Sequence, residues 1–450
     1  MSKHFKLKRG LDIRLKGAAD AILKDAPVPA TVALKPTDFF GLTPKLSVKA
    51  DEQVKAGDAL FFDKYHPEIL ITSPVSGTVK AINRGERRKI LEVVIEPDGK
   101  NEFRKFPVAD PLILSGEEIS RQLLNSGLWP FIRQRPYGIL AKPEDKPRHI
   151  FISGFDSSPL APDYEFIFKN DQHALQAGIN ALTRLTEGTV YLGLSPKQSN
   201  GIFSTLKNVT LNTFEGPHPA GNVGVHIHHI APLFKGDIVW TVSPQAVVYI
   251  GRLFLEGRLN MAKIIALTGS EVKAPGYYKT ILGAELTGLL SNTTKKETHE
   301  RYISGNVLTG TKIEADGYLG FFDEAVTVIP EGDEYELLGW ALPGKDKFSG
   351  SKAFLSALFP KKEYVLNANM HGGERAFVLT GQYEQFLPMD LLPVFLLKAI
   401  LTNDIDRMEQ LGIYEVIEED LALCEYADTS KIRVQEILRE GINLMMKEVG

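Results

Sequence analysis

The hydrophobic positions of this chain change rhythm along its length. Up to about residue 103, short apolar runs are cut by tight polar turns. Val48, Val54 and Leu60 flank Gly57, followed by Ile69-Leu-Ile-Thr-Ser-Pro-Val-Ser-Gly-Thr-Val79 and Ile90-Leu-Glu-Val-Val-Ile95. This pattern predicts short β-strands joined by turns. Gly77, closing the Ser-Pro-Val-Ser-Gly turn, is expected at positive φ between two strands.

From 104 to 261 the rhythm becomes an alternation of helix and strand. Ser115-Gly-Glu-Glu118 opens a helix through Ile119, Leu123 and Leu124, with Glu118 placed to complete a capping box. His149-Ile-Phe-Ile-Ser-Gly154 reads as a strand. Asn170 or Asp171 starts a helix that puts Leu175, Ile179, Leu182 and Leu185 on one face, with Gly188 as its stop. Val190-Tyr-Leu-Gly-Leu194 and Ile238-Val-Trp-Thr-Val242 are strands, and Pro244 to Glu256 is a helix. Such alternation implies a Rossmann-like α/β unit with a mainly parallel sheet.

Residues 262–340 return to β, beginning with Lys263-Ile-Ile-Ala-Leu-Thr-Gly269 and closing with Val326-Thr-Val-Ile329. Residues 341–382 contain a Gly-, Ser- and Lys-rich stretch, 343–362, read as a linker or irregular loop. Residues 383–450 read as helical, with acidic and basic positions interleaved on solvated faces. The expected class is therefore multidomain α/β.

Composition adds exclusions. A length of 450 residues corresponds to roughly two to four domains. The hydrophobic fraction of 43% and charged fraction of 24% are those of a packed globular protein. A net charge of −4 gives no basic excess for nucleic acid. Cys424 is the single cysteine, which excludes an intrachain disulfide and a cluster held by several thiolates. It reads as a small apolar filler in a helix. The basic N-terminus is followed by no apolar run, so export is not expected. The most apolar stretch, 389–401, is interrupted by Asp390, Pro393 and Lys398. It is too short to span a membrane and reads as a buried helix or a subunit contact.

The most unusual chemistry is Glu215-Gly-Pro-His218-Pro-Ala-Gly-Asn-Val-Gly-Val-His226-Ile-His228-His229-Ile230. Read as a strand, it points His226 and His228 to the same side. No HExxH helix, cysteine or acidic cluster completes a closed metal site, so no metal is expected. Gly216, Gly221 and Gly224 lack the G-x-G-x-x-G spacing and are read as leading toward a strand, against a dinucleotide loop. Neither a Walker A sequence nor a nucleophile elbow is present.

The N-terminal pattern resembles the barrel-sandwich domain of lipoyl and biotinyl carriers. The hairpin tip is Asp63-Lys64-Tyr65-His66-Pro67, without the Met-Lys-Met or Asp-Lys-Ala setting of a modified lysine. Lys64 is accordingly read as a solvated turn lysine.

The chain as a whole resembles the A subunits of the Na+-translocating NADH:quinone reductase. The resemblance is carried by Lys8-Arg-Gly-Leu-Asp12 as an opening strand and by Thr72-Ser-Pro-Val-Ser-Gly-Thr-Val79 with Ile82-Asn-Arg-Gly85. It is carried further by Gly216-Pro-His-Pro-Ala-Gly221 with Val225 to His229, and by Leu411-Gly-Ile413 with Glu418-Glu-Asp-Leu-Ala-Leu-Cys424. Glu425-Tyr-Ala-Asp-Thr-Ser-Lys431 departs from the family, where a second cysteine and Pro-Gly are expected.

The resemblance implies a barrel-sandwich domain over 1–103, a Rossmann-like domain over 104–261, a β-grasp-like domain over 262–340, a linker over 341–382 and a helical domain over 383–450. It also implies a peripheral subunit on the cytoplasmic side of the bacterial inner membrane, partnered by the membrane-embedded B subunit. Flavins and iron–sulfur centres would lie in other subunits, and no independent catalysis by this chain is expected.

The family is distantly similar to the flavin-binding, NADH-oxidising subunit of complex I and to the C subunit of the Rnf complex. Where the complex I subunit approaches its flavin with a glycine-rich loop, this chain has Trp129-Pro-Phe-Ile-Arg-Gln-Arg-Pro-Tyr-Gly138. Its bulky side chains oppose close backbone approach, so a cofactor-free chain is expected. For a quinone, the implied candidates are Phe131, Arg133, Tyr137, His218 and His226. The alternative is a structural cap without a quinone site.

Overall fold

The structure is a computed structural model describing residues 2–297, 299–333, 336, 339 and 342–449. Two small sheets build the barrel-sandwich part. One runs Val32–Leu34, Ile90–Pro97, Gly77–Arg84, Gln53–Val54, and the other Pro44–Leu46, Ala59–Asp63, Leu70–Thr72. Leu60, Phe61 and Ile71 from one sheet share a core with Val79, Val93 and Ile95 from the other. Gly77 is required for a reason other than the one expected. Its φ is not positive. A Cβ there would lie 2.1 Å from the Glu96 carbonyl oxygen, so glycine permits a close strand approach.

The leading residues do not join these sheets. His4–Lys6 pairs in parallel with Thr210–Glu215, and Leu23–Asp25 pairs in parallel with Gly276–Ile281. The opening strand is thus His4–Lys6, and the stretch 8–12, expected as strand, is irregular.

The α/β part is a seven-stranded sheet in the order His4–Lys6, Thr210–Glu215, Thr189–Leu194, His149–Ser153, Val239–Val242, Ile132–Arg135, Ile139–Leu140. Its first five strands are parallel; the last two form an antiparallel hairpin at the edge. The Ser115–Glu118 capping box is formed. The helix Gln172–Leu182 ends before the expected stop at Gly188, which instead passes close to the Arg148 carbonyl. That helix crosses Pro244–Glu256 through two opposed glycines. A Cβ on Gly178 would meet the Val247 carbonyl at 2.0 Å, and one on Gly251 the Ala174 carbonyl at 1.8 Å.

A six-stranded mixed sheet follows, ordered Thr311–Ile313, Glu300–Ser304, Ala325–Pro330, Ala262–Thr268, Gly276–Ile281, Leu23–Asp25. The helix Thr287–Thr293 packs Leu289 and Leu290 onto it with Ile265, Leu267, Val326 and Val328. Parts of 334–341 lie outside the described residues.

The C-terminal helices are Tyr383–Phe386, Pro393–Leu401, Ile405–Gln410, Glu418–Ala427 and Val434–Glu448. Their core, with Leu397, Leu421, Leu438 and Ile442, is continuous with Leu7, Phe214 and Val225. Cys424 is buried in it, and burial pushes its thiol up out of reach of ionisation at neutral pH. Among the described residues no helix is long and apolar enough to cross a membrane.

Candidate functional site

The edge hairpin meets the C-terminal helices through charge. Arg135 donates to Asp420 at 2.9 Å and to Glu419 at 2.7 Å, and Arg439 pairs bidentately with Glu418. Two of the three consecutive acids that start Glu418–Ala427, Glu419 and Asp420, therefore grip the hairpin directly, while Glu418 holds the Arg439 that reaches its turn, and the helix dipole also favours negative charge there. The turn they hold is strained, with Tyr137 at φ 81. Arg439 donates to its carbonyl at 3.0 Å, and Arg133 donates to the next carbonyl, Gly138, at 3.2 Å.

Arg133 makes no ion pair among the described residues. Its guanidinium lies 5.5 Å over the Phe322 ring. Behind Phe322 stands a buried aromatic cluster, in which Phe131 stacks on Phe321 at 4.4 Å and meets Tyr249 at 5.3 Å. Around this wall lie Asp156 and Tyr164 from the α/β part, and Asp323 and Glu324 from the mixed sheet. Arg133, Asp156, Tyr164, Asp323 and Glu324 all keep some open surface. Yet burial is the leading influence on the ionisation of each. These five half-buried side chains form the candidate recess.

The polar groups of the recess are unevenly satisfied. Asp156 accepts from Ser158, at 2.7 Å from its N–H and 2.9 Å from its hydroxyl. Asp323 accepts from the Ser304 hydroxyl at 2.6 Å. The buried Lys263 ammonium is held on the Asp323 carbonyl at 2.5 Å. Glu324 Oε2 is buried without a partner. Burial raises its carboxyl to about 7, and nearby Lys263 only partly opposes that.

The histidine-rich stretch is a helix, Val223–Ile230, not the strand expected. Residues two apart then face nearly opposite ways. His226 points inward, stacked on Phe214 at 3.9 Å. Its Nε2 donates to the Ala220 carbonyl at 2.8 Å, which leaves Nδ1 as a buried acceptor without a donor. His228 accepts the Asp390 N–H on Nε2 at 3.0 Å, so its Nδ1 carries the proton donated to Glu415 at 2.7 Å. His218, held against the 8–12 stretch, lies 3.0 Å from the Ser157 hydroxyl. Burial lowers His218 and His226 to about 4, so both rings are neutral. The ring nitrogens do not converge on one point.

The glycines of this stretch lead into the helix, again contrary to expectation, but serve packing. A Cβ on Gly224 would lie 2.2 Å from Asp420 Oδ1, and one on Gly221 would lie 2.7 Å from the Ser157 nitrogen. Among the described residues, His66, Glu68 and Glu144 are the group with metal-ligand spacing. They sit beside the hairpin tip, partly or fully exposed, with the His66 ring 4.0 Å from the Glu68 carboxylate and 3.7 Å from that of Glu144. Lys64 lies over the Tyr65 ring at 5.5 Å.

Of the residues singled out in the sequence, Arg133 lines the recess and Phe131 backs its aromatic wall. Tyr137, His218 and His226 serve the strained turn, the 8–12 crossing and the sheet–helix core. Sequence reasoning missed Asp156, Tyr164, Phe322 and Glu324. The adjacent aromatic and acidic pairs of Phe321-Phe-Asp-Glu324 were the one available signal.

Residues 5–98 match a family described as the NqrA N-terminal barrel-sandwich hybrid domain, 114–259 the NqrA second alpha/beta domain, and 264–315 the NQRA C-terminal domain. The A subunit of the Na(+)-translocating NADH-quinone reductase of Yersinia pseudotuberculosis serotype O:1b is 42% identical over 446 residues, covering 98% of this chain and 99% of the relative. That of Neisseria meningitidis serogroup A is 37% identical over 450 residues, with 98% and 99% covered.

Proposed function

The chain belongs to the family of A subunits of the Na+-translocating NADH-quinone reductase, and we propose that within that complex it is a cofactor-free, peripheral subunit whose role is associated with quinone reduction coupled to Na+ export. The observation that carries this reading is the recess of Arg133, Asp156, Tyr164, Phe322 and Glu324. A quinone head is flat and apolar with two carbonyl oxygens. Phe322 offers a ring face, Arg133 a donor, and Tyr164 with Glu324 a second polar contact. The position is one that no cofactor-type glycine loop occupies, since Arg133, Arg135 and Tyr137 fill the hairpin.

Attachment to the cytoplasmic face of the bacterial inner membrane would be through partner subunits, especially the membrane-embedded B subunit. The helix Pro393–Leu401 is mostly buried in this chain, but Leu392, Phe395 and Leu401 are exposed by 50%, 46% and 53%. That outward face favours a second reading, a structural cap without its own quinone site. Titration of the chain with a soluble ubiquinone analogue, followed by Trp fluorescence, decides between them. The Trp240 indole N–H donates to Gln134, next to Arg133, at 3.2 Å. Saturable quenching supports the quinone reading; none up to the solubility limit overturns it.

A further inference from the structure

We propose that His66, Glu68 and Glu144 form a site for a divalent transition-metal ion of the zinc class, which clamps the tip of the barrel-sandwich hairpin to the α/β part of the chain. The ion would be taken up from solution at the surface, and the inference is independent of the quinone reading. His66 and Glu68 lie on the turn between Ala59–Asp63 and Leu70–Thr72, and Glu144 on the connection from Ile139–Leu140 to His149–Ser153. One ligand atom from each falls within 4.8 Å of the other two.

The spacing is that of ligands rather than of hydrogen-bonded partners. His66 Nδ1 stands 4.0 Å from Glu68 and 3.7 Å from Glu144, both beyond hydrogen-bond length. Zinc bonds to imidazole nitrogen and carboxylate oxygen of about 2.0–2.2 Å place tetrahedral ligand atoms about 3.4 Å apart. Rotation of either exposed glutamate closes the difference. Among the described residues the three side chains make no hydrogen bond, and no lysine or arginine pairs with either carboxylate. Two carboxylates from separate parts of the chain therefore meet around one imidazole with no other cation between them. One nitrogen and two oxygens suit zinc and its neighbours in the first transition row, with water completing the shell.

The ligands are carried on turns that are already fixed. Asp63 Oδ1 accepts the Thr43 N–H at 3.1 Å, the Lys64 N–H donates to the Thr43 carbonyl at 2.8 Å, and the Ile69 N–H donates to the His66 carbonyl at 2.9 Å. On the other side, the Gln134 amide donates to Asp145 at 2.8 Å, and the Asp145 N–H donates to the Lys142 carbonyl at 3.1 Å. Neighbouring Asp145 is thus committed to the sheet, and Glu144 is left facing His66. The ion would act on the junction of the two parts and take no part in electron transfer.

The test is calorimetric titration of the metal-stripped, untagged full chain with Zn2+. One saturable equivalent is expected. His66→Gln, Glu68→Gln and Glu144→Gln should each weaken it by at least about tenfold, while leaving thermal unfolding in chelator unchanged. Zn2+ should raise the unfolding midpoint of the wild type and not that of Glu144→Gln, because binding to the folded state alone stabilises it. His229→Gln, in the other histidine-rich stretch, should bind as the wild type does. Absence of saturable binding up to millimolar Zn2+ overturns the site, as does an equivalent that survives all three substitutions. Loss with His66→Gln but not with Glu144→Gln shows an adventitious ion on one histidine and overturns the clamp.

Discussion

The Arg135 guanidinium lies 2.9 Å from the Asp420 carboxylate across 285 residues of sequence, and both side chains are shut off from solvent. Asp420 also accepts the Ile417 N–H at 2.9 Å, so one carboxylate caps its own helix and anchors the edge hairpin. Removing one partner of such a pair leaves an uncompensated buried charge. Arg135→Ala is expected to lower stability by about 3–5 kcal/mol. Replacing both residues with apolar ones of similar size should cost far less. Denaturant unfolding of the two variants checks this; equal losses would show that packing, not charge, holds the joint.

His218 and His226 set a pH dependence. Both are lowered from 6.5 to about 4 in the folded chain. Above pH 6.5 neither state holds the extra proton and nothing is contributed. Between 6.5 and 4 the unfolded chain takes up a proton that the folded chain refuses, so stability falls with pH. The loss reaches about 3 kcal/mol for each at pH 4. Asp38 and Glu324, raised to about 6 and about 7, act in the opposite sense, since the stability they add at low pH is lost as pH rises through those values. The comparison of wild type with His226→Phe therefore isolates the effect. Removing the Ala220 bond costs a constant amount, and the acid-side slope should be shallower in the variant.

Gly193 faces the His226 ring. A Cβ at Gly193 would lie 2.4 Å from Nδ1 and Cε1. Gly193→Ala is expected to destabilise by about 1–3 kcal/mol, with part of the loss recovered when His226 is also shortened to Ala. Additive losses in the double variant would mean that the ring moves freely aside.

Within the quinone reading, Phe322→Ala and Arg133→Ala should each weaken the analogue by roughly tenfold, a change of about 1.4 kcal/mol. His226→Phe should leave affinity unchanged, because His226 packs on Phe214 away from that wall. Fluorescence titration measures all three, and a larger effect from His226 than from Phe322 would move the site.

Membrane attachment is expected to depend on partner subunits. The basic cluster of Arg84 with Arg87, Arg88 and Lys89 is short and is flanked by Glu86 and Glu92, while surface charge contributes only about 1 kcal/mol per basic residue. Deleting the B subunit should shift the chain to the soluble fraction, and high salt with the complex intact should not. Retention on membranes without partners would point to lipid.

The sequence by itself determined the elements whose signals are local. The helix Pro244–Glu256, the Ser115–Glu118 capping box and the strands from Pro44 to Pro97 follow from periodicity, capping and turn residues that act within a few positions. Family resemblance was equally legible, because it rests on strings of residues. The histidine stretch misled because its glycines suggested a turn into strand, whereas contact with Phe214 and Asp420 makes it a helix. The paths of the first strands were also hidden. His4–Lys6 and Leu23–Asp25 are short, and only pairing with strands more than 200 residues away gives them their places. The recess was decided by tertiary structure alone. Arg133, Asp156, Tyr164, Phe322 and Glu324 are each ordinary in sequence, and they acquire altered ionisation and an unpartnered oxygen only when separate parts of the chain close over them and exclude water.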